Sequence, residues 1–144
     1  MKPSERKSTA LTRRKSISSS GAVVVGPYSH AICAGDLIFI SGQTPLDPIT
    51  GKLVNGAVEE QVTQCMNNLG AILDAAGLNF DDVVKCNVFL TDMNDFATLN
   101  KVYARYFREP FPARTTIGVA ALPLGARVEI EMIAKVSIEG TDAC

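Results

Sequence analysis

The chain has 144 residues, of which 47% are hydrophobic and 20% are charged. This length is typical of one domain, and the apolar content is sufficient for one core without a structural metal. No stretch approaches the roughly 18 uninterrupted apolar residues that a membrane helix needs, so we expect a soluble protein with no membrane partner.

Charge is unevenly distributed along the chain. Residues 1–20 contain six basic residues and one acidic residue, which gives +5, whereas the remaining 8 basic and 14 acidic residues give −6. Binding to phosphates needs clustered lysine and arginine side chains. The charge of the folded part therefore argues against nucleic acid as a partner.

The basic N-terminal segment has too few apolar residues to pack against a core. We predict a disordered extension over residues 1–20 and one folded domain over residues 21–140. The Arg and Ser content also suits an organellar transit peptide, but the segment lacks the apolar core of a secretory signal. We expect a cytoplasmic protein, with a mitochondrial location as the alternative.

The four cysteines, at positions 33, 65, 86 and 144, form no C-x-x-C pair, and His30 is the single histidine. These spacings match no zinc site, so we expect no metal. Three of the cysteines fall within predicted strands or a helix, where buried thiols are common, which favours a reducing compartment. We expect His30 to be an edge-strand or surface residue and not a catalytic base.

The first half of the domain predicts a hairpin and a long helix. Short strands are expected at residues 31–34 and 37–41, joined by the turn residues Gly35 and Asp36, and residues 44–56 have the composition of a loop. Apolar residues then recur at three- and four-residue steps from Val58 to Ala76, followed by Gly77 at a position where helices often end.

The second half predicts a strand, a helix and two more strands. The strand covers residues 83–90, and the helix begins near Phe96, continues to Tyr106 and is terminated by Pro110. The last strands are expected at residues 114–119 and 127–138. Together these elements indicate an α+β fold with about six strands.

Side-chain alternation in the strands indicates two different sheet faces. In the last strand, the even-numbered residues from Val128 to Ile138 are apolar, whereas the opposite face carries Arg127, Glu129, Glu131, Ile133 and Lys135. In residues 83–90, Lys85, Asn87 and Phe89 alternate away from Val84, Cys86, Val88 and Leu90. We therefore expect two helices on one face and a subunit interface with a ligand cleft on the other, mixed face.

Arg114 is the candidate for binding a small carboxylate. Arg114, Thr116 and Gly118 point to one side of their strand, and on the mixed face Arg114 and Thr116 would converge with Glu129 and Asn87. The alternative is a structural ion pair between Arg114 and either Glu129 or Glu131.

Five short motifs, in register over residues 22–138, closely resemble the Rid family of reactive intermediate deaminases, also called the YjgF or L-PSP family. They are Gly26 Pro27 Tyr28 Ser29, Ile40 Ser41 Gly42 Gln43, Asp95 Phe96 ahead of Asn100, Phe111 Pro112 Ala113 Arg114, and Val128 Glu129 Ile130 Glu131. The resemblance implies a chorismate-mutase-like fold, assembled as a homotrimeric barrel with clefts between subunits.

The resemblance also implies an activity. Deaminases of the family hydrolyse 2-imino acids, such as 2-iminobutanoate and 2-iminopropanoate, to 2-keto acids and ammonia without a cofactor, which prevents damage by these intermediates. By position, the carboxylate-binding arginine is Arg114 and the water-orienting glutamate is Glu129. Tyr28 and Ser41 match active-site residues, and the Gly42 amide is a further carboxylate contact.

Two residues complete the expected site. Thr116 stands where the best-known deaminases carry cysteine, and its hydroxyl retains the capacity to hold a water molecule, although substrate range and rate depend on this position. Asn87 is expected to contact substrate from the neighbouring strand.

Two other functions are compatible with the resemblance. Members of the family have been described as endoribonucleases or translation inhibitors, but the −6 charge and the absence of basic residues among the aromatics offer no RNA groove. The other alternative is a non-catalytic metabolite-binding or chaperone-like trimer that retains the pocket.

Overall fold

The computed structural model describes residues 14–136. Six strands and two α-helices follow one another in these residues, in the order β1 (Lys15–Ile17), β2 (Ala31–Ala34), β3 (Leu37–Gln43), α1 (Val58–Ala75), β4 (Val83–Leu90), α2 (Phe96–Tyr103), β5 (Ala113–Gly118) and β6 (Val128–Lys135).

All six strands belong to one mixed sheet in the order β1-β2-β3-β6-β4-β5. Only β4 and β5 run parallel, and the other neighbours are antiparallel. Because parallel strands need a crossover connection, the chain leaves β4, forms α2 over the sheet and returns as β5. The α+β prediction is confirmed.

Helix α1 matches its prediction closely. Its buried side chains recur along one face, including Val62, Cys65, Leu69 and Ile72. The helix ends where the sequence predicts, because Gly77 adopts a left-handed conformation with φ of 74°. The backbone amides of Gly77 and Leu78 then donate to the carbonyls of Asp74 and Leu73 at 2.9 Å, which satisfies the last turn of the helix.

The two faces of the sheet differ as the alternation predicts. On the helix-covered face, the core side chains of the central strands are buried, namely Cys86, Val88, Leu90, Val128, Ile130, Met132 and Ala134. On the opposite face, Phe39 and Ile117 remain 43% and 45% exposed although both are large and apolar. An apolar sheet face that no described element covers is typical of an interaction surface.

The alternation is interrupted at the start of β4. Val84 was expected on the core face, but it is 43% exposed whereas Val83 is 6% exposed. The pairing of β4 with β6 shifts register between Val83 and Lys85, so one extra residue reverses the side-chain direction. The expected placement of Val84 was therefore wrong.

The N-terminal extension differs from its prediction where it is described. Residues 1–13 lie outside the described residues, but Lys15–Ile17 pair with β2 as an edge strand. His30, expected at an edge or the surface, is 4% exposed, and its Nδ1 accepts a hydrogen bond from the Ser19 amide at 3.0 Å. The predictions of disorder at residues 15–17 and of a surface His30 were wrong, because pairing with β2 and the bond to His30 hold this segment against the domain.

Helix α2 was predicted to continue to Tyr106, but it ends at Tyr103. Strand β6 ends at Lys135, and residues 137 and 138 of the predicted strand lie outside the described residues.

Candidate functional site

A cavity of about 480 Å³ opens beside β3 and β6. It is lined by Val25, Tyr28, Ser41, Gly42, Thr44, Pro123, Glu129 and Glu131. Four of the predicted site residues, Tyr28, Ser41, Gly42 and Glu129, are thus brought together from three segments of the chain. The volume lies within the usual range for a small-molecule site.

The neighbouring strands β3 and β6 set the floor of the cavity. Their pairing shifts register between Ile40 and Gln43, and this irregularity is where Ser41 and Gly42 lie. A Cβ atom on Gly42 would stand 3.0 Å from both Cδ and Oε2 of Glu129. The absence of a side chain at Gly42 therefore lets the Glu129 carboxylate lie against the strand, and a larger residue there would push the carboxylate away.

The Ser41 hydroxyl is already committed as a donor. Its Oγ donates to the carbonyl oxygen of Ser29 at 2.6 Å, and the Ser41 amide donates to the carbonyl of His30 at 2.9 Å. A hydroxyl has one proton and two lone pairs. Ser41 therefore offers the cavity a hydrogen-bond acceptor and not a donor.

Tyr28 follows the Gly26 Pro27 turn and is 40% exposed. Its backbone amide donates to the carbonyl of Gly26 at 2.9 Å, and its hydroxyl accepts from the Val25 amide at 3.2 Å. Because that bond uses a lone pair of the phenol, its proton remains available to a ligand.

Glu129 has the properties of a proton-accepting carboxylate. Burial raises the pKa of its carboxyl above the ordinary value, and the nearby Glu131 raises that pKa further. Glu131 in turn accepts a 3.4 Å hydrogen bond from Asn87 Nδ2. A carboxylate with a raised pKa is a stronger base, which suits it to take a proton from water.

The repulsion between the Glu129 and Glu131 carboxylates predicts the result of replacing Glu131 by Gln. Removing the neighbouring negative charge should lower the pKa of Glu129, so that Glu129 ionises at a lower pH than in the wild type, although burial still holds that pKa above its ordinary value. The measurement is an NMR titration of the Glu129 side-chain carboxyl. Glu60→Gln, an exposed replacement on α1 with the same loss of charge, should leave the midpoint unchanged; equal midpoints in the wild type and Glu131→Gln would show that Glu131 has no influence.

Arg114 and Thr116 do not join this cavity within the chain. In the parallel pairing of β4 and β5, Arg114 lies beside Cys86, and Thr116 lies beside Val88. Cys86 and Val88 are buried on the helix-covered face, so Arg114 and Thr116 are on that face too. Asn87, Glu129 and Glu131 are on the opposite face. The expected convergence of Arg114 and Thr116 with Glu129 and Asn87 on one face was wrong, and so was the alternative ion pair of Arg114 with Glu129 or Glu131.

Helix α2 supplies the surroundings of Arg114 instead. Arg114 Nη2 donates to Asn100 Oδ1 at 2.6 Å. The guanidinium carbon is 4.8 Å from the centre of the Tyr103 ring and 5.7 Å from that of Phe96, so both rings make cation–π contacts. Thr116 lies on the same face, and its buried Oγ1 has no hydrogen-bond partner among residues 14–136.

The sequence interpretation missed these contacts of Arg114. The signal was present, because Phe96, Asn100 and Tyr103 are spaced i, i+4 and i+7 and so share one face of a helix. Phe96 and Asn100 belonged to one of the five motifs, but nothing in the sequence connected that motif with Arg114.

Two kinds of feature are absent from the described part of the chain. No helix in residues 14–136 is long and apolar enough to cross a membrane. The same residues contain no group of three or more His, Cys, Asp or Glu side chains placed to hold a metal ion.

Comparison with known proteins gives consistent matches over nearly all described residues. The model of the family described as endoribonuclease L-PSP matches residues 19–136. A mouse protein named 2-iminobutanoate/2-iminopropanoate deaminase is 53% identical over 122 residues, which cover 84% of this chain and 90% of that protein.

Two solved structures show the same fold. RidA from the Antarctic bacterium Psychrobacter sp. PAMC 21119 is 46% identical with a TM-score of 0.82, over 85% of this chain and 100% of the other. The E. coli protein TdcF, solved with bound serine, is 41% identical with a TM-score of 0.81, over 85% of this chain and 99% of the other.

Proposed function

Because the chain belongs to the endoribonuclease L-PSP family, we propose that it hydrolyses small 2-imino acids, such as 2-iminobutanoate and 2-iminopropanoate, to 2-keto acids and ammonia. The observation that carries the proposal is the Glu129 carboxylate, which lies against Gly42 in a cavity and has a raised pKa. The name of the mouse relative supports the same reaction.

We propose that the complete site forms between two subunits of a homotrimer. Arg114 and Glu129 lie on opposite faces of one sheet. Arg114 and Glu129 of the same chain therefore cannot bind the same small molecule. In the proposed chorismate-mutase-like barrel, Arg114 and Thr116 of one subunit face Tyr28, Ser41, Gly42 and Glu129 of the next. The exposed apolar residues of the sheet, Phe39 and Ile117, are then buried between subunits.

Substrate recognition in this cleft rests on the carboxylate. A planar guanidinium gives two parallel charge-assisted hydrogen bonds to a carboxylate, so Arg114 fixes both the position and the orientation of a small acid. The Gly42 amide is a further donor. Serine bound to TdcF is also a small molecule with a carboxylate, which supports this class of ligand.

The imine nitrogen needs a different partner. A protonated imine carries N–H groups, and Ser41 presents an acceptor because its own proton is held by the Ser29 carbonyl. The carboxylates of Glu129 and Glu131 also favour a cationic iminium at this end of the cavity. We expect Asn87 to act indirectly, through its hydrogen bond to Glu131.

Hydrolysis then needs one placed water and a proton shuttle. Glu129 accepts a proton as the water oxygen bonds to C2, and the electrons of the C=N bond move to nitrogen to give a carbinolamine. Glu129 returns its proton to the amine, the C–N bond breaks, and ammonia leaves as the hydroxyl loses its proton to solvent and the carbonyl forms. General acid–base assistance of this kind supplies roughly 10²- to 10⁴-fold, which is adequate for an electrophilic imine.

Thr116 and Tyr28 are proposed to hold water and intermediate in place. The Thr116 hydroxyl is buried and has no hydrogen-bond partner among residues 14–136, so its bonding capacity is unused, and rotation of the side chain would bring it to a water molecule in the cleft. The Tyr28 hydroxyl keeps its proton free and can donate to the oxygen of the carbinolamine.

The test is an assay in which an amino acid oxidase generates 2-iminobutanoate and semicarbazide competes for it. An active deaminase diverts the imine to 2-oxobutanoate and lowers the yield of semicarbazone. An unchanged yield over a range of protein concentrations would reject the deaminase function and favour a protein that only binds metabolites.

The description of the family raises ribonuclease activity as a second possibility. The residues that line the Glu129 cavity include two glutamates and no basic residue. Carboxylates repel a phosphodiester, and RNA binding depends on Lys and Arg contacts to phosphates. Incubating labelled RNA with the full chain and with a chain lacking residues 1–13, which keeps strand β1, would separate cleavage by the domain from binding by the basic extension.

A further inference from the structure

Arg114 differs from three other arginines of the domain in the chemical type of its hydrogen-bond acceptor. Arg105, Arg108 and Arg127 each form an ion pair with a carboxylate, those of Glu59, Asp81 and Asp95 respectively. Arg114 instead donates to the amide oxygen of Asn100, at 2.6 Å. The three ion-paired arginines are thus locally neutralised, whereas no carboxylate among residues 14–136 forms an ion pair with Arg114.

The geometry around Arg114 fixes its guanidinium from several directions. Asn100 and Tyr103 project from the same face of α2, and the buried Tyr103 ring lies 4.8 Å from the guanidinium carbon. Phe96, one turn before Asn100, adds a second ring at 5.7 Å. A half-buried arginine on the edge strand β5 is thereby held in one orientation.

The choice of an amide acceptor has an electrostatic consequence. A guanidinium has five N–H donors, and the bond to Asn100 uses one of them. A carboxylate at this position would form an ion pair with Arg114 and compete directly with the carboxylate of a ligand. An amide accepts the same hydrogen bond without a formal charge.

We propose that Asn100 is a positioning residue for Arg114, which fixes the guanidinium while leaving its full charge for the substrate carboxylate. This inference rests on the proposed function, because it assumes that Arg114 binds the substrate. It adds a residue of α2 to the site and gives a role to the spacing of Phe96 and Asn100.

The decisive variant is Asn100→Asp, which keeps the shape and the acceptor but adds a negative charge. It should fold at least as stably as the wild type, because the introduced carboxylate would form an ion pair with Arg114. Its affinity for 2-oxobutanoate should nevertheless fall on the order of 10-fold or more, since the guanidinium is neutralised. Asn100→Ala, which only loosens Arg114, should lose less affinity and more stability.

The experiment measures 2-oxobutanoate binding by calorimetry and thermal unfolding for both variants. Asn55→Asp, in an exposed loop, controls for the change in net charge and should bind as the wild type does. A merely structural Asn100 gives the reverse order, with Asn100→Asp binding better than Asn100→Ala. That order, or wild-type affinity in Asn100→Asp, would overturn the inference.

A fourth variant, Arg114→Ala, separates this inference from the proposed site. Loss of binding in Arg114→Ala together with normal binding in Asn100→Asp would reject only the role of Asn100. Normal binding in Arg114→Ala would reject the proposed site itself. In the expected case, kinetics of Asn100→Asp also show a raised KM with kcat little changed, because the Glu129 carboxylate is untouched.

Discussion

Replacing Arg114 by Ala should reduce kcat/KM for 2-iminobutanoate by roughly 10²-fold or more, because two charge-assisted hydrogen bonds to the substrate carboxylate are lost. Arg114→Lys should fall between this variant and the wild type, since an ammonium keeps the charge but lacks the planar fork. The measurement is the semicarbazide competition assay.

A matched control is available in Arg108→Ala. The side chain of Arg108 is 81% exposed, and within residues 14–136 its one ion pair is with Asp81 at the surface. Its removal should cost at most about 1 kcal/mol of stability and leave the activity unchanged. Equal activities of Arg114→Ala and the wild type would show that the carboxylate is bound elsewhere.

Replacing Glu129 by Gln should remove turnover while retaining ligand binding. The amide has nearly the same shape as the carboxylate, so it should fit against Gly42, but it cannot accept a proton from water. We expect kcat to fall roughly 10²- to 10⁴-fold, with the affinity for 2-oxobutanoate changed little. Single-turnover assays and calorimetry on the same preparation measure the two effects.

Comparing Glu129→Gln with Arg114→Ala separates a loss of turnover from a loss of ligand binding. Arg114→Ala should lose binding, whereas Glu129→Gln should lose chemistry. Full turnover in Glu129→Gln would exclude Glu129 as the proton acceptor, and loss of binding in both variants would mean that Glu129 shapes the cavity instead of supplying a base.

The part of the site around Glu129 was largely predictable from the sequence. The alternation of apolar and polar residues in β6 correctly separates Glu129 and Glu131 from Ile130 and Met132. The signal in β6 is local, because burial of one strand face dictates which residues point away from the helices. The grouping of Tyr28, Ser41 and Glu129 was expected only from the family resemblance, and all three residues line the cavity.

The face on which Arg114 lies was not predictable by the same reasoning. In β5 the odd and even positions are equally mixed, with Arg114, Thr116 and Gly118 on one side and Thr115 and Ile117 on the other. Only the parallel register with β4, which pairs Arg114 with Cys86, determines the side. Register between strands separated by a helix depends on tertiary packing, which no pattern within β5 encodes.

The edge strand β1 was missed for a related reason. Lys15, Ser16 and Ile17 have no alternation long enough to predict a strand, and the surrounding composition is that of a disordered segment. Their structure comes from pairing with β2, which supplies backbone partners from another part of the chain. The strand propensity of three residues does not reveal that another strand will pair with them.

Subunit mixing shows directly whether each site is shared by two chains. Arg114→Ala and Glu129→Gln subunits, each nearly inactive, should be unfolded together in denaturant and refolded as mixed trimers. If every cleft draws its arginine and its glutamate from different subunits, an equal random mixture should regain about one quarter of the wild-type activity. If no activity returns although mixed trimers form, Arg114 and Glu129 do not act from neighbouring subunits, and the site is not shared between two chains.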